Sequence, residues 1–255
     1  MNKNDFNKVV ELFKEKTQKE CVKIVLDNKT PDILDNKIGG LPYLPVGEDY
    51  PKDKNGKPLA LLLQVNLKDI DLPNFPKEGI LEIFTDKELE WPCSYQVKLF
   101  KEGLEYKTDF SELENFTVDF PIVTNPCKIS FEKIFDYMPL AHIGCMDILN
   151  EICYTIFNMN LEDVNRTFNS ELEYDLIDVL DYHCITIGGY ANFTQNDIRE
   201  SKEFSDKTQC LFRLDSTIDY NNFSIGDSGI LFAVISLEDL KNGNFENTVV
   251  DWDCC

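Results

Sequence analysis

The alternation of apolar and polar positions divides the chain into an opening helix, strands toward both ends and a helical middle. Phe6, Val9, Val10 and Phe13 recur at i, i+3, i+4 and i+7. That spacing predicts an amphipathic helix over residues 4–19, with Asn4 or Asp5 as N-cap and the apolar stripe laid across a sheet. The β-branched run Cys21–Leu26 predicts a strand, as do Leu59–Asn66 and Ile80–Thr85. Prolines and glycines in Ile38–Pro45 and Tyr50-Pro51 break regular structure between them, and Lys77-Glu78-Gly79 makes a tight entry to the third strand. Residues 91–108 alternate enough to predict a hairpin around Lys101-Glu102-Gly103. In the middle, Phe131–Met138 reads as a short helix stopped by Pro139. Met146, Leu149, Cys153, Ile156 and Phe157 form the stripe of a second helix, and Glu171–Leu180 carries Leu172, Leu176, Ile177 and Leu180 on one face of a third.

Two glycine-anchored stretches of this pattern are versions of each other. The first runs from Ile38-Gly39-Gly40 through Leu63-Gln64-Val65-Asn66 to Gly79-Ile80-Leu81; the second runs from Ile187-Gly188-Gly189 through Phe212-Arg213-Leu214-Asp215 to Gly229-Ile230-Leu231. Gly39 to Gln64 and Gly188 to Arg213 span the same 25 positions, and one insertion separates the spacings to Gly79 and Gly229. The period is far longer than the roughly 20–50 residues of a stacking solenoid. It predicts an α+β fold: one pseudo-twofold domain built from two duplicated, mainly antiparallel β half-domains with packed helices. The halves span roughly 21–110 and 183–255, with a helical segment over roughly 130–182. Gly39, Gly40, Gly79, Gly188, Gly189 and Gly229 are the expected structural turns.

Charge narrows the partners. The chain carries 46 acidic and 25 basic residues, a net charge of −21, and no basic stripe interrupts them. Nucleic acid and anionic membrane are repelled, whereas a basic protein is attracted at low salt. No apolar run approaches the roughly 20 residues of a membrane helix, and the start lacks a signal-peptide pattern, so a cytoplasmic protein is expected. Nine irregularly spaced cysteines fit reduced, buried thiols; Cys254-Cys255 is read as the end of a terminal strand.

Catalytic strings dissolve on inspection. Gly226-Asp227-Ser228-Gly229 looks like a serine-protease nucleophile loop with His142 upstream, but Gly229 aligns with Gly79 and makes the segment a second strand-entry turn. His142, Cys145, Cys153, His183 and Cys184 lack the paired spacing of a zinc module, and neither a calcium loop nor a phosphate-binding glycine loop occurs. No catalytic residue, metal or cofactor is assigned. What remains are polar residues inside apolar strands: Gln64 and Asn66 in one copy, Arg213 and Asp215 in the other, and Asp227 in the turn. Either they bond to the Gly-Gly loops and fix the architecture, or they line a binding cleft between the repeats.

The string Lys37-Ile38-Gly39-Gly40-Leu41-Pro42-Tyr43-Leu44-Pro45, with Leu63-Gln64-Val65-Asn66, Phe75-Pro76-Lys77-Glu78-Gly79 and Gly226-Asp227-Ser228-Gly229, closely resembles the YwqG-like family, a domain of unknown function, over essentially the whole chain. The closing Asp251-Trp252-Asp253-Cys254 agrees with its typical end. The resemblance implies an α+β fold and no established activity. Some relatives are encoded near bacterial polymorphic toxins, which implies an immunity or toxin-associated role. The functional expectation is a non-enzymatic protein-binding module with a basic partner such as a toxin; the alternative is a small-molecule or peptide binder, or an unfamiliar enzyme, with a cleft between repeats.

Overall fold

The computed structural model describes residues 1–27, 29–89, 92–111, 122–180, 183–219 and 222–254. Among these residues ten strands form one sheet: β1 (Lys19–Asp27), β2 (Lys37–Ile38), β3 (Ala60–Asn66), β4 (Ile80–Thr85), β5 (Tyr95–Phe100), β6 (Cys127–Asp136), β7 (Thr186–Gly188), β8 (Gln209–Asp215), β9 (Ile230–Ile235) and β10 (Val249–Asp253). Their order is β10-β9-β8-β7-β1-β6-β2-β3-β4-β5, and each pairing is antiparallel. The order reads alike from both ends. A pair of long strands, β1 and β6, occupies the centre, and each is followed outward by one very short strand and three longer ones.

The sheet curls until its edges approach. Trp252 Nε1 on β10 donates to Leu89 O at 3.0 Å just before β5, and Cys93 Sγ lies 3.9 Å from Val250 O. The concave interior is filled by one apolar cluster that draws on every strand from β1 to β10, including Val22, Leu63, Val65, Leu81, Leu214 and Leu231. Curvature is aided by register shifts in β3 at Leu61/Leu63 and in β8 at Cys210/Phe212, since a bulge bends its strand. These two shifts fall at the same distance from Gln64 and Arg213.

Among the described residues five helices accompany the sheet: α1 (Lys3–Thr17), α2 (Cys145–Phe157), α3 (Leu161–Phe168), α4 (Leu172–Ile177) and α5 (Leu237–Asn242). The N-cap of α1 is Asn2, whose side chain accepts from Asp5 N at 2.9 Å, so the helix starts earlier than the predicted Asn4 or Asp5 cap. Its stripe does not cover the sheet. Val9 and Phe13 pack against Leu149, Cys153 and Leu172 in a separate helical core.

Two predicted elements are overturned. Phe131–Met138 is not a helix but lies largely within β6, whose nine consecutive pairings with β1 outweigh the helical spacing of Phe131, Ile134 and Phe135. The helical segment accordingly begins at Cys145 and not near residue 130. The hairpin over 91–108 does not form either. Its first arm is β5, paired to β4, and the chain beyond Gly103 crosses instead to Pro45 through a single bridge at Tyr106. Cys254 directly follows β10, and Cys255 lies outside the described residues. Among the described residues no helix is long and apolar enough to cross a membrane.

Candidate functional site

The outer face of each half carries a buried polar clasp that grips the chain just after its Gly-Gly pair. In the first half the backbone leaves β2 through Gly39 and Gly40, at φ 71° and 82°, a left-handed course that glycine follows without strain. The turn brings Tyr43 N within 2.7 Å of both Gln64 Oε1 on β3 and Glu82 Oε1 on β4. Gln64 Nε2 donates to Ile33 O and Asp35 O, and Lys37 Nζ donates to Asp32 O and Ile33 O. Gln64, Glu82 and Lys37 are each about 1% exposed or less. Burial pushes the Glu82 carboxyl well above its ordinary range and draws Lys37 down to about 8. Among the described residues Glu82 Oε2 has no hydrogen-bond partner.

The second half repeats the grip with different chemistry. Gly188 and Gly189, at φ 78° and 72°, deliver Tyr190 N to Asp136 Oδ2 at 2.8 Å. Gly189 has no room for a side chain, because a Cβ would stand 2.5 Å from Asp136 Oδ2. Arg213, fully buried, donates through Nη1 to Asp136 Oδ2 at 3.2 Å and to Tyr190 O at 2.9 Å, and through Nη2 to Cys184 Sγ at 2.9 Å. Lys19 Nζ stands 4.0 Å above the Tyr190 ring, and the His142 ring meets its edge. Burial, followed by the nearby Arg199 guanidinium, depresses His142 to about 4, so it is neutral near pH 7.

Each clasp thus holds one basic and one acidic side chain, but the positions are exchanged. Lys37 on β2 stands opposite Gln64 on β3; at the matching pair, neutral Thr186 on β7 stands opposite Arg213 on β8. The carboxylate comes from β4 in the first half and from β6 in the second.

The other predicted binding residues lie elsewhere. Asn66 Oδ1 accepts from Lys68 N and Asp215 Oδ1 from Thr217 N, so both cap short 3-10 turns at the ends of β3 and β8. Asp215 Oδ2 also lies 2.8 Å from His183 Nδ1. Asp227 is exposed in the turn before β9. Gln64 and Arg213 do not share one cleft: β3 and β8 are five strand steps apart in the sheet order, on the order of 24 Å along the sheet. Of the expected glycine turns, Gly79 has φ 110°, whereas Gly229 serves by close approach, a Cβ there standing 2.6 Å from Ile225 O; Ser228 beside it takes φ 60°.

Sequence reasoning missed Lys37, Glu82 and Asp136. Glu82 left a signal, a lone carboxylate between the apolar pairs Ile80-Leu81 and Ile83-Phe84. Asp136 left none, because its segment read as a helix.

A family model described as a domain of unknown function (DUF1963) matches residues 36–254. The chain belongs to this family. No curated protein matches it. The DUF1963 match includes both Gly-Gly pairs, Lys37, Gln64, Glu82, Asp136 and Arg213, and every strand except β1, which completes the sheet between β7 and β6. Among the described residues no three His, Cys, Asp or Glu side chains converge as a metal-binding group. Cavities flank this frame among the described residues. One of about 940 Å³ lies between the start of α1 and the α3–α4 turn, with Phe6, Phe168, Asp175 and Asp178 in its wall. Another of about 470 Å³ lies between Lys29, Asn125, Cys127, Asp219 and Asn222, at the crossing where Val123 bridges Phe223.

Proposed function

We propose that this DUF1963 protein is a non-enzymatic, cytoplasmic protein-binding module whose acidic surface docks a basic partner such as a toxin, in an immunity role. The charge of −21 carries the reading. Burial of Lys37 and Arg213 inside the clasps also removes two cations from the surface facing a partner. Among the described residues the cysteines are scattered and mostly buried as thiols, which supports a reducing compartment. We also infer that the two halves arose by duplication. The mirrored strand order, the matching register shifts and the paired Gly-Gly clasps support it.

The test uses the tagged chain as bait in native lysate, followed by kinetics on any stoichiometric basic protein it retains. Association is expected to slow at least tenfold between about 0.05 and 0.5 M salt, since steering between exposed charges is screened. A rate insensitive to salt removes electrostatic docking. A second reading, a small-ligand binder, draws on the 470 Å³ cavity between the halves, whose wall combines Lys29, Asp219 and two asparagines.

A further inference from the structure

Three thiols gather around one guanidinium on the outer face of β1, β7 and β8. Cys21, Cys184 and Cys210 are all buried, and Arg213 lies in electrostatic reach of each. Only one of them receives a hydrogen bond from it among the described residues. Arg213 Nη2 donates to Cys184 Sγ at 2.9 Å, while Arg213 Nε, equally buried, has no hydrogen-bond partner among the described residues. A neutral thiol is a weak acceptor, whereas a thiolate gains a charge-assisted bond, so a guanidinium held against sulfur favours the anion.

The other cysteines provide the contrast. Burial pushes Cys145, Cys93 and Cys210 up to about 12 and Cys127 and Cys153 to about 11, and it raises Cys21 further. These are inert neutral thiols. Asp136 at the end of β6 acts on Arg213 and opposes a thiolate, whereas Lys19 on β1 and Arg199 act on neighbouring Cys210 and favour one. Asp215 at the end of β8 turns its carboxylate to His183 and Thr217. Arg213 touches the sulfur directly.

We propose that Cys184 is a modification site, a thiolate held by Arg213 that reacts with small soft electrophiles, hydroperoxides foremost. With hydrogen peroxide the sulfur attacks one oxygen, and an S–O bond forms as the O–O bond breaks. Sulfur gives up two electrons and becomes a sulfenic acid. The other oxygen leaves as hydroxide and takes a proton from solvent. Only a small reagent fits, because Cys184 is 5% exposed.

The experiment measures iodoacetamide alkylation of the full chain against pH, with peptide mapping to separate Cys184 from half-exposed Cys254. The Cys184 rate is expected to reach half its maximum at least about one pH unit below that of Cys254. Dilute peroxide followed by dimedone should tag Cys184, and Cys184→Ser should abolish the tag with the circular dichroism spectrum unchanged. In Arg213→Lys the Cys184 profile should move to higher pH; if that variant does not fold, the wild-type profile decides. A Cys184 profile at or above that of Cys254, or a dimedone tag on another cysteine, overturns the proposal.

Discussion

Glu82 is a carboxyl sealed in an apolar strand, and its titration leaves a signature on stability. Its folded pKa lies well above the unfolded value through burial. The folded state therefore holds a proton that the unfolded chain releases, so the stabilising contribution is full below about pH 4, the unfolded carboxyl range, and is lost as pH rises toward the folded pKa. Lys37, depressed to about 8 by burial, works in the opposite sense: its contribution is present above its unfolded pKa and lost as pH falls through about 8. Glu82→Gln keeps an acceptor for Tyr43 N and removes the carboxyl titration. Urea titrations should show the variant more stable than wild type by about 1 kcal/mol or more at pH 8, one pKa unit being worth that much, with the two curves converging near pH 4. A variant that is less stable at every pH would show instead that Glu82 is held ionised against Lys37.

At the scale of elements, the tightest constraint is the turn from β7 into the second clasp. Gly189→Ala must fit a Cβ 2.5 Å from Asp136 Oδ2 at φ 72°. The left-handed backbone costs about 1–2 kcal/mol for a residue with a side chain, and displacing Asp136 also loosens Tyr190 and Arg213. A loss of about 3 kcal/mol is expected by chemical denaturation, whereas Gly56→Ala, in an open turn with nothing near its Cβ, should lose only the backbone term. Equal losses at the two sites would remove the clasp from the explanation. Turns of this kind were legible in sequence because glycine and proline report backbone conformation directly; β3 and β4 were legible as apolar runs behind such turns, and α2 from its helical period. β6 was not. Its spacing of Phe131, Ile134 and Phe135 satisfies a helix equally well, and what decides is β1, more than a hundred residues away in the chain. The clasps were half legible for the same reason: Gln64 and Arg213 announce themselves by polarity in apolar strands, but their partners Glu82 and Asp136 come from other strands that only the sheet order brings alongside.

At the scale of the molecule, the central strands interlock the halves. β1 precedes the first Gly-Gly segment in sequence but pairs with β7 of the second half, and β6 pairs with β2 of the first. Neither half can leave without breaking the β1–β6 ladder, which runs from Lys19↔Asp136 to Asp27↔Lys128. The same Asp136 closes the second clasp, so ladder and clasp fail together. The helical core is tied in as well, through Tyr190 Oη donating to Thr17 O at 2.7 Å at the end of α1. Such coupling predicts one cooperative unfolding transition for the whole chain. Far-ultraviolet circular dichroism, dominated by α1–α4, and near-ultraviolet signals from the tyrosines packed on the sheet should give superimposable urea curves. Two separated transitions would mean that the helical core or one half stands alone, and that the interlocking of β1 and β6 contributes topology without cooperativity.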